Sequence, residues 1–87
     1  YPKVFTPNGD TYKDSWNIDC LRDQTSARIS IYDRYGKILA VIYPSRLGWN
    51  GVYNGALMPT NDYWFEVDYF SEDGTPRVFR SHFTLKR

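Results

Sequence analysis

One cysteine and one histidine are present among the 87 residues of the sequence. A lone cysteine cannot form an internal disulfide, and with a single histidine it cannot complete a cysteine-based zinc site. No apolar run approaches the roughly 20 residues that a membrane-spanning helix needs. Eleven basic against ten acidic residues leave a net charge of +1, too balanced for the basic surface of a nucleic-acid-binding protein. The low cysteine and histidine counts, the short apolar runs and the balanced charge therefore argue against a disulfide scaffold, a zinc module, a transmembrane helix and a nucleic-acid binder.

Aromatic residues, in contrast, are abundant. Three Trp, eight Tyr and five Phe make up 18% of the chain. Flat rings pack well on the half-buried surface of a pleated sheet, so this composition favours strands. The hydrophobic content of 41% is ample for a packed core, and 87 residues leave room for one core only. We therefore expect a single domain over residues 1–87.

Turn signals recur at short intervals along the chain. Asn-Gly and Asp-Gly pairs adopt positive φ at little steric cost, so they mark hairpins and tight loops. The signals are Pro7-Asn8-Gly9, Tyr35-Gly36, Asn50-Gly51, Asn54-Gly55, Met58-Pro59 and Asp73-Gly74. The runs between them are about five to ten residues long, which is typical of an all-β sandwich. Helix signals are poor, and we predict a small antiparallel, immunoglobulin-like β-sandwich.

Two hairpins are expected from the pattern of apolar residues. Residues 28–33 and 37–43 flank the Tyr35-Gly36 turn, and residues 62–70 and 77–87 flank another turn region. Residues 37–43 are almost continuously apolar, which fits either a strand buried on both faces or a local bulge. Residues 62–70 alternate regularly, which predicts a strand with one buried face.

The alternation leaves the register of the second hairpin open by steps of two residues, because such a step keeps every side chain on its face. The simplest register places Phe65 opposite Phe83 and Tyr63 opposite Leu85 on the inner face. The same register predicts two opposed pairs on the outer face, namely Glu66 with His82 and Asp68 with Arg80.

Four combinations of turn and aromatic residues follow one another in order, before a terminal Leu85-Lys86-Arg87. They are Phe5-Thr6-Pro7-Asn8-Gly9-Asp10 with Trp16, Ile31-Tyr32-Asp33-Arg34-Tyr35-Gly36, Trp49-Asn50-Gly51-Val52-Tyr53-Asn54-Gly55, and Pro59 with Tyr63. The succession resembles the gliding-motility-associated C-terminal domain, the type B sorting domain of the type IX secretion system. The likeness covers nearly the whole chain. Four positions depart from the residues that the family prefers. Thr11 stands in place of Gly, Lys13 in place of Asn, Tyr35 in place of Trp and Asn50 in place of Asp.

The resemblance implies a C-terminal sorting domain that directs a larger cell-surface or secreted protein through the outer membrane. It implies as partners the type IX machinery and an outer-membrane protein, and it links the family to adhesins. The expected route is through the periplasm to the cell surface or the medium. Residues 1–5 lack the features of a secretory signal peptide, so an export signal is expected upstream.

Candidate contact residues lie in the last two predicted strands. Exposed large aromatics beside charges are candidates for a partner surface. Basic residues concentrate near the end of the chain, where they would steer a partner toward an exposed strand edge. The predicted partner-binding residues are Trp64, Phe70, Arg80, Lys86 and Arg87. The predicted motif and turn residues are Pro7, Asn8, Gly9, Asp10, Arg34, Gly36, Trp49, Gly51 and Gly55. Of these, Asn8 and the four glycines are expected to hold the recognised loops in place. A solvated hairpin whose charges neutralise one another explains the same pattern without a partner.

A calcium site is the one cofactor hypothesis that the sequence raises. Asn8, Asp10 and Asp14 offer the hard oxygen ligands that calcium prefers. Lys13 places a positive charge within the same loop, and no bidentate Glu closes the site. The sequence therefore favours a turn whose side chains bond to its own backbone, with no cofactor.

Other functions stay open on the residues alone. Trp49, Tyr53 and Trp64 could form a platform for sugar rings, which would make the domain an adhesin or carbohydrate-binding module. The alternative, which the sequence favours, is that most of the large aromatics fill the core of the sandwich or cover its rim. A structural spacer is a third reading. Cys20 and His82 are the only conceivable nucleophilic pair, but no base-orienting residues accompany them, and a free cysteine is commonly buried and inert. We therefore predict no enzymatic activity.

Overall fold

The computed structural model describes residues 1–6 and 15–86. Within these ranges the chain forms seven strands and one short 3-10 helix. The strands are β1 (Val4–Phe5), β2 (Arg28–Tyr32), β3 (Ile38–Ile42), β4 (Val52–Tyr53), β5 (Ala56–Leu57), β6 (Asn61–Phe70) and β7 (Pro76–Leu85). The 3-10 helix spans Asp19–Leu21. In this part of the chain no helix has the length and apolar character needed to cross a bilayer.

Five strands form one sheet in the order β1-β7-β6-β2-β3, and β4 and β5 form a separate hairpin. The predicted all-β class and sandwich-like architecture are confirmed. The sheet is antiparallel at every pairing except one, because β1 runs parallel to β7. The expectation of a purely antiparallel sheet was wrong at that pair. No tight turn joins these two strands, so nothing local forces them into opposite directions.

The long hairpin of β6 and β7 has a register two residues away from the predicted one. Tyr63 lies opposite Phe83, and Phe65 lies opposite Ser81. The predicted pairings of Phe65 with Phe83 and of Tyr63 with Leu85 were therefore wrong, although each side chain lies on the predicted face. The turn sets this register, because the backbone N–H of Ser71 donates to the carbonyl of Thr75 at 3.0 Å.

The hairpin of β2 and β3 contains a β-bulge. Ile31 lies opposite Ala40, whereas the next residue of β2, Tyr32, lies opposite Ile38. Leu39 is the extra residue on β3, so Leu39 and Ile42 are both buried although they are three positions apart. Of the two explanations for the apolar run at 37–43, the bulge is the one that the structure shows.

The core lies on the inner face of the five-stranded sheet and is largely aromatic. Trp16 and Trp49 cover the sheet from the second layer and exchange two backbone hydrogen bonds, of 2.8 and 2.9 Å. Gly48 permits this pairing, because a Cβ built there would lie 2.1 Å from the Trp16 carbonyl oxygen. The core residues are Phe5, Trp16, Ile18, Ile29, Ile31, Leu39, Ile42, Trp49, Tyr63, Phe65, Val67, Phe83 and Leu85.

A glutamine side chain extends the sheet beyond the first residue of β2. Because β2 begins at Arg28, opposite Asp68, Phe70 at the end of β6 has no partner on β2. The Gln24 side-chain amide takes this place. Its Nε2 donates to the Phe70 carbonyl at 2.8 Å, and its Oε1 accepts from the Phe70 N–H at 2.9 Å.

Candidate recognition surface

Four side chains form a row across the outer face of the large sheet. Tyr32 lies opposite Ile38 on one side and opposite Trp64 on the other. Trp64 in turn lies opposite His82, and their ring centroids are 6.0 Å apart. Trp64 is 41% exposed and Ile38 is 48% exposed. We call these residues the outer-face row. Each member comes from a different strand, so the hydrogen bonding of the sheet fixes their relative positions.

Two cross-strand ion pairs lie on the same face as the outer-face row, and their carboxylates are two and four residues along β6 from Trp64. The Arg80 Nε is 3.3 Å from a Glu66 carboxylate oxygen, and an Arg28 guanidinium nitrogen is 3.5 Å from Asp68. The predicted pairs of Glu66 with His82 and Asp68 with Arg80 were wrong because of the two-residue register difference. Exposed pairs of this kind contribute about 0–1 kcal/mol each. Their main effect is a polar, neutral border next to an apolar row, a pattern that marks interaction surfaces.

The predicted partner-binding residues are spread over the domain. Trp64, Phe70 and Arg80 share the outer face as expected, but Phe70 lies six residues along β6 from Trp64, about 20 Å away at ordinary strand rise. Lys86 follows β7, and its backbone N–H donates to the Phe5 carbonyl at 2.8 Å. Arg87 lies outside the described residues. The structure thus places Trp64 and Arg80 near each other and leaves Phe70 and Lys86 at separate ends.

The edge of β7 at Lys86 is already occupied by β1. Thr84 and Lys86 donate their N–H groups to carbonyls of Lys3 and Phe5, both at 2.8 Å. A partner strand could not add there without displacing β1. The strand-addition hypothesis therefore applies only to the part of β7 that β1 does not cover.

The predicted loop residues that the structure describes hold tight turns. In the β2–β3 turn, which includes Arg34, Gly36 has φ +82°, and the Asp33 carboxylate accepts from the N–H groups of Tyr35 and Lys37, both at 2.9 Å. Each of these contacts restrains the chain reversal between the two strands.

The hairpin of β4 and β5 has a two-residue loop, Asn54-Gly55, with φ of +52° and +78°. Two successive positive φ angles define a type I′ turn, which the Asn-Gly signal predicts. Gly51 has φ +81°, and its carbonyl accepts from the Met58 N–H at 2.8 Å. The loops around the second layer are thus held by backbone geometry.

Trp49 is a core residue and belongs to no exposed surface. It is 3% exposed, its ring lies edge-on to Tyr63 with centroids 5.5 Å apart, and its indole N–H donates to the Val52 carbonyl at 3.1 Å. Tyr53 is half-buried, with the Lys37 ammonium over its ring. The hypothesis of a sugar platform built on Trp49, Tyr53 and Trp64 was therefore wrong, because Trp49 packs inside and Trp64 faces outward.

The N-terminal motif, with Pro7, Asn8, Gly9, Asp10 and Asp14, lies outside the described residues. The predicted turn without a cofactor and the alternative of a calcium site are both untested for that reason. Over residues 1–6 and 15–86, no group of three His, Cys, Asp or Glu side chains is close enough to hold a metal ion.

The hypothetical nucleophilic pair of Cys20 and His82 is not brought together. Cys20 belongs to the 3-10 helix and lies beside a cleft on the inner side of the sheet, next to Val67 and Phe79. His82 lies on the outer face against Trp64. Cys20 is also exposed, so the expectation that it is buried was wrong.

Hydroxyl groups in the β6–β7 turn lower the pKa of Asp73 from 3.8 to about 2. The hydroxyl of Ser71 is the largest cause, followed by that of Thr75, and the Thr75 N–H also donates to the carboxylate at 3.0 Å. Hydrogen bonds to the ionised form favour it and lower the pKa. This group stabilises the turn and belongs to no cleft.

The sequence profile of the CHU_C type IX secretion signal domain matches residues 1–84. Since the match covers nearly the whole chain, the protein belongs to this family. No curated protein matches the chain significantly. The chain is therefore a sorting signal of the type IX secretion system, and as such it interacts with the secretion machinery. Its role is to mark an exported protein that reaches the cell surface or the medium. The family is not known for enzymatic activity.

Proposed function

We propose that this domain is the folded C-terminal sorting signal of a larger protein, and that an outer-membrane component of the type IX machinery binds it in the periplasm. Recognition takes place at the outer face of the large sheet and is centred on Trp64. The domain works by binding and performs no reaction of its own. Export of the attached protein follows from that contact.

The observation that carries this proposal is the exposed position of Trp64. An indole that is 41% exposed in the middle of a four-strand row offers a large apolar contact at a rigid position. Tryptophan is among the residues that contribute most to binding at protein interfaces. The ion pair of Glu66 and Arg80 borders the row, and that of Arg28 and Asp68 lies two residues further along the strands. Together they supply polar groups on one side of the row, of the kind that such contacts usually have at their rim.

The packing of the domain supports recognition of a folded shape. Trp16 and Trp49 pack on the inner side of the sheet against Phe65 and Phe83, so this part of the sheet is covered on the surface opposite the outer face. Side chains on a rigid sheet lose little conformational freedom when a partner binds. A partner can therefore bind the side chains of the outer-face row without any reorganisation of the domain.

Export of a reporter tests the function. The domain is fused to the C-terminus of an inert, folded reporter that carries an ordinary export signal, and the fusion is expressed in the organism that encodes the chain. This host supplies any dedicated outer-membrane partner. We expect the reporter at the cell surface or in the medium, and we expect it in the periplasm when the type IX machinery is inactivated.

Two controls make the export test decisive. The reporter without the domain should stay in the periplasm, and a native cargo of the same host should be exported normally. If the domain is folded, the native cargo leaves the cell and the fusion stays in the periplasm, the proposed function is wrong.

A further inference from the structure

Half of β7 has an open edge. β1 pairs with β7 only at Thr84 and Leu85. Over residues 76–80, β7 has β6 on one side and no described strand on the other, whereas the Ser81 hydroxyl is hydrogen-bonded to the Tyr1 hydroxyl at 2.7 Å. Residues 76–80 are all exposed, in agreement with an uncovered edge. An unpaired edge of this length is a template for the addition of another strand.

The backbone groups available at this edge can be identified. The N–H groups of Thr84 and Lys86 point toward β1. Alternate residues of a strand direct their N–H and C=O groups to the same side, so Val78 and Arg80 direct theirs to the open edge. The N–H of Phe79 points the other way, toward β6. An added strand would therefore bond to Val78 and Arg80.

An apolar cleft adjoins the open edge on the inner side of the sheet. Its volume is about 440 Å³. Phe79 faces this cleft and is 48% exposed, although Val67 directly opposite is buried. The second layer ends here with the 3-10 helix and leaves the cleft open. Its lining includes Tyr1, Ile18, Leu21, Val67, Tyr69 and Phe79, with Lys3 as the only charged side chain among the described residues. The ring centroids of Tyr1 and Phe79 are 6.1 Å apart, so Tyr1 forms part of the cleft wall.

We propose that the open half of β7 receives an extended acidic segment of a partner protein as an additional strand. Its N–H and C=O groups pair with those of Val78 and Arg80, and its inward side chains, which are apolar, enter the cleft beside Phe79. An open edge supplies affinity, and a pocket for alternate side chains supplies specificity. This proposal rests on the proposed function in one respect only, which is that the partner is taken to be a protein of the secretion machinery.

The charges around the edge favour an acidic partner strand. Among the described residues, Lys3 and Arg77 take part in no ion pair, and Arg80 has Glu66 as its only carboxylate. The nearby Asp73 carboxylate bonds within its own turn. Pairing with the same edge of a second copy would bring the Lys3, Arg77 and Arg80 side chains of both copies to one interface, and like charges held close together are unfavourable. A second copy of the chain is thus the poorer occupant.

Hydrogen exchange followed by NMR on the 87-residue chain tests the proposal. The probe is a short synthetic peptide that alternates glutamate with valine and phenylalanine. We expect saturable binding and amide exchange at Val78 and Arg80 that is slowed about tenfold, which corresponds to 1.4 kcal/mol. The amide of Phe79, already directed toward β6, should change little. A peptide with lysine in place of glutamate should bind more weakly.

Two substitutions separate the cleft from the general surface. Phe79→Ser removes the ring that the peptide side chains contact and should weaken binding about tenfold. Leu57→Ser changes a residue of β5 that is 68% exposed and lines no part of the cleft, so it should leave binding within about twofold. Heteronuclear spectra confirm that each variant keeps the sheet.

The outcomes distinguish this proposal from the proposed function. No protection at Val78 and Arg80 with saturating peptide, or equal binding by both variants, would overturn it. A dimer that forms through β7 without peptide would also overturn it and assign the edge to a second copy. If the peptide binds as expected but the reporter fusion stays in the periplasm, the edge site stands and the proposed function fails.

Discussion

The indole of Trp16 stacks on the ring of Phe83, with centroids 4.2 Å apart and planes within 14° of parallel. Trp16 belongs to the second layer, and Phe83 lies on the inner face of β7. Their contact therefore joins the two layers of the domain. Trp16 also donates its indole N–H to the Pro2 carbonyl at 2.8 Å, which ties the N-terminal segment to the same point.

Phe83→Ala should destabilise the domain severely. The ring is 1% exposed and contacts Trp16 and Trp49, so its removal leaves a cavity in the centre of the core. Loss of a buried phenylalanine costs about 3–5 kcal/mol, a large share of the total stability of a small domain. Urea unfolding followed by tryptophan fluorescence measures the change. The control is Leu47→Ala, at an 89% exposed residue, which should shift stability by less than about 0.5 kcal/mol.

Gly48→Ala should disrupt the pairing of the two core tryptophans. The added Cβ would lie 2.1 Å from the Trp16 carbonyl oxygen, so the backbone must move apart. Overpacking of this kind costs about 1–3 kcal/mol. Thermal unfolding measures the cost, and amide exchange at Trp16 should become faster. Gly55→Asn is the matched control, because that site is open and asparagine tolerates its positive φ. Equal stability of both variants would contradict the close approach at Gly48.

Gln24→Leu should loosen the end of β6. The substitution removes both hydrogen bonds between the side-chain amide and the Phe70 backbone, while its size is largely kept. A single hydrogen bond contributes about 0.5–1.5 kcal/mol to stability. Because the site is partly exposed and water replaces the lost bonds, we expect the loss of both bonds together to lower the free energy of unfolding by an amount in this same range. Hydrogen exchange at the Phe70 amide should become faster. Unchanged exchange there would show that the amide of Gln24 does not serve as a strand partner.

Asp73 should make the β6–β7 turn sensitive to acid. Its pKa is about 2 in the folded domain and near 3.8 without its partners, so the carboxylate contributes stability that is fully present above about pH 5. That contribution decreases as the pH falls from about 4 to about 2. Carbon-13 NMR titration of the carboxyl group measures the pKa directly.

Asp73→Asn provides the neutral comparison for the acid response. Because all other groups are shared, the difference in unfolding free energy between the two proteins isolates Asp73. This difference should be constant above pH 5 and should shrink between pH 4 and pH 2. A carboxyl pKa of ordinary value, or a difference independent of pH, would contradict the hydrogen bonding of this turn.

The faces of the strands could be predicted from the sequence, but their register could not. Alternation of apolar residues places Tyr63, Phe65 and Phe83 inside because side chains of a strand alternate with a period of two. A shift of two residues preserves every face, so alternation alone allowed the wrong pairing of Phe65 with Phe83. The backbone hydrogen bond between Ser71 and Thr75 selects the register, and it becomes visible only in the structure.

The recognition surface could be predicted only in part. The regular alternation of residues 62–70 places Trp64 on the outer face. Trp49 lies in residues 48–61, where no alternation reveals the burial of a side chain. The open half of β7 depends on where β1 lies, and the parallel pairing of Val4 with Thr84 joins opposite ends of the chain. No local spacing indicates such a contact.

Export of a reporter fused to the Trp64→Ala domain tests the central claim most directly. The control fusion carries Tyr35→Ala, at an aromatic residue that is 79% exposed in the β2–β3 turn and away from the outer-face row. Loss of an interface tryptophan typically costs at least about 2 kcal/mol of binding, or roughly thirtyfold in affinity. We expect the Trp64→Ala fusion to be folded and held in the periplasm while the Tyr35→Ala fusion is exported. Normal export of the Trp64→Ala fusion would contradict recognition through this face.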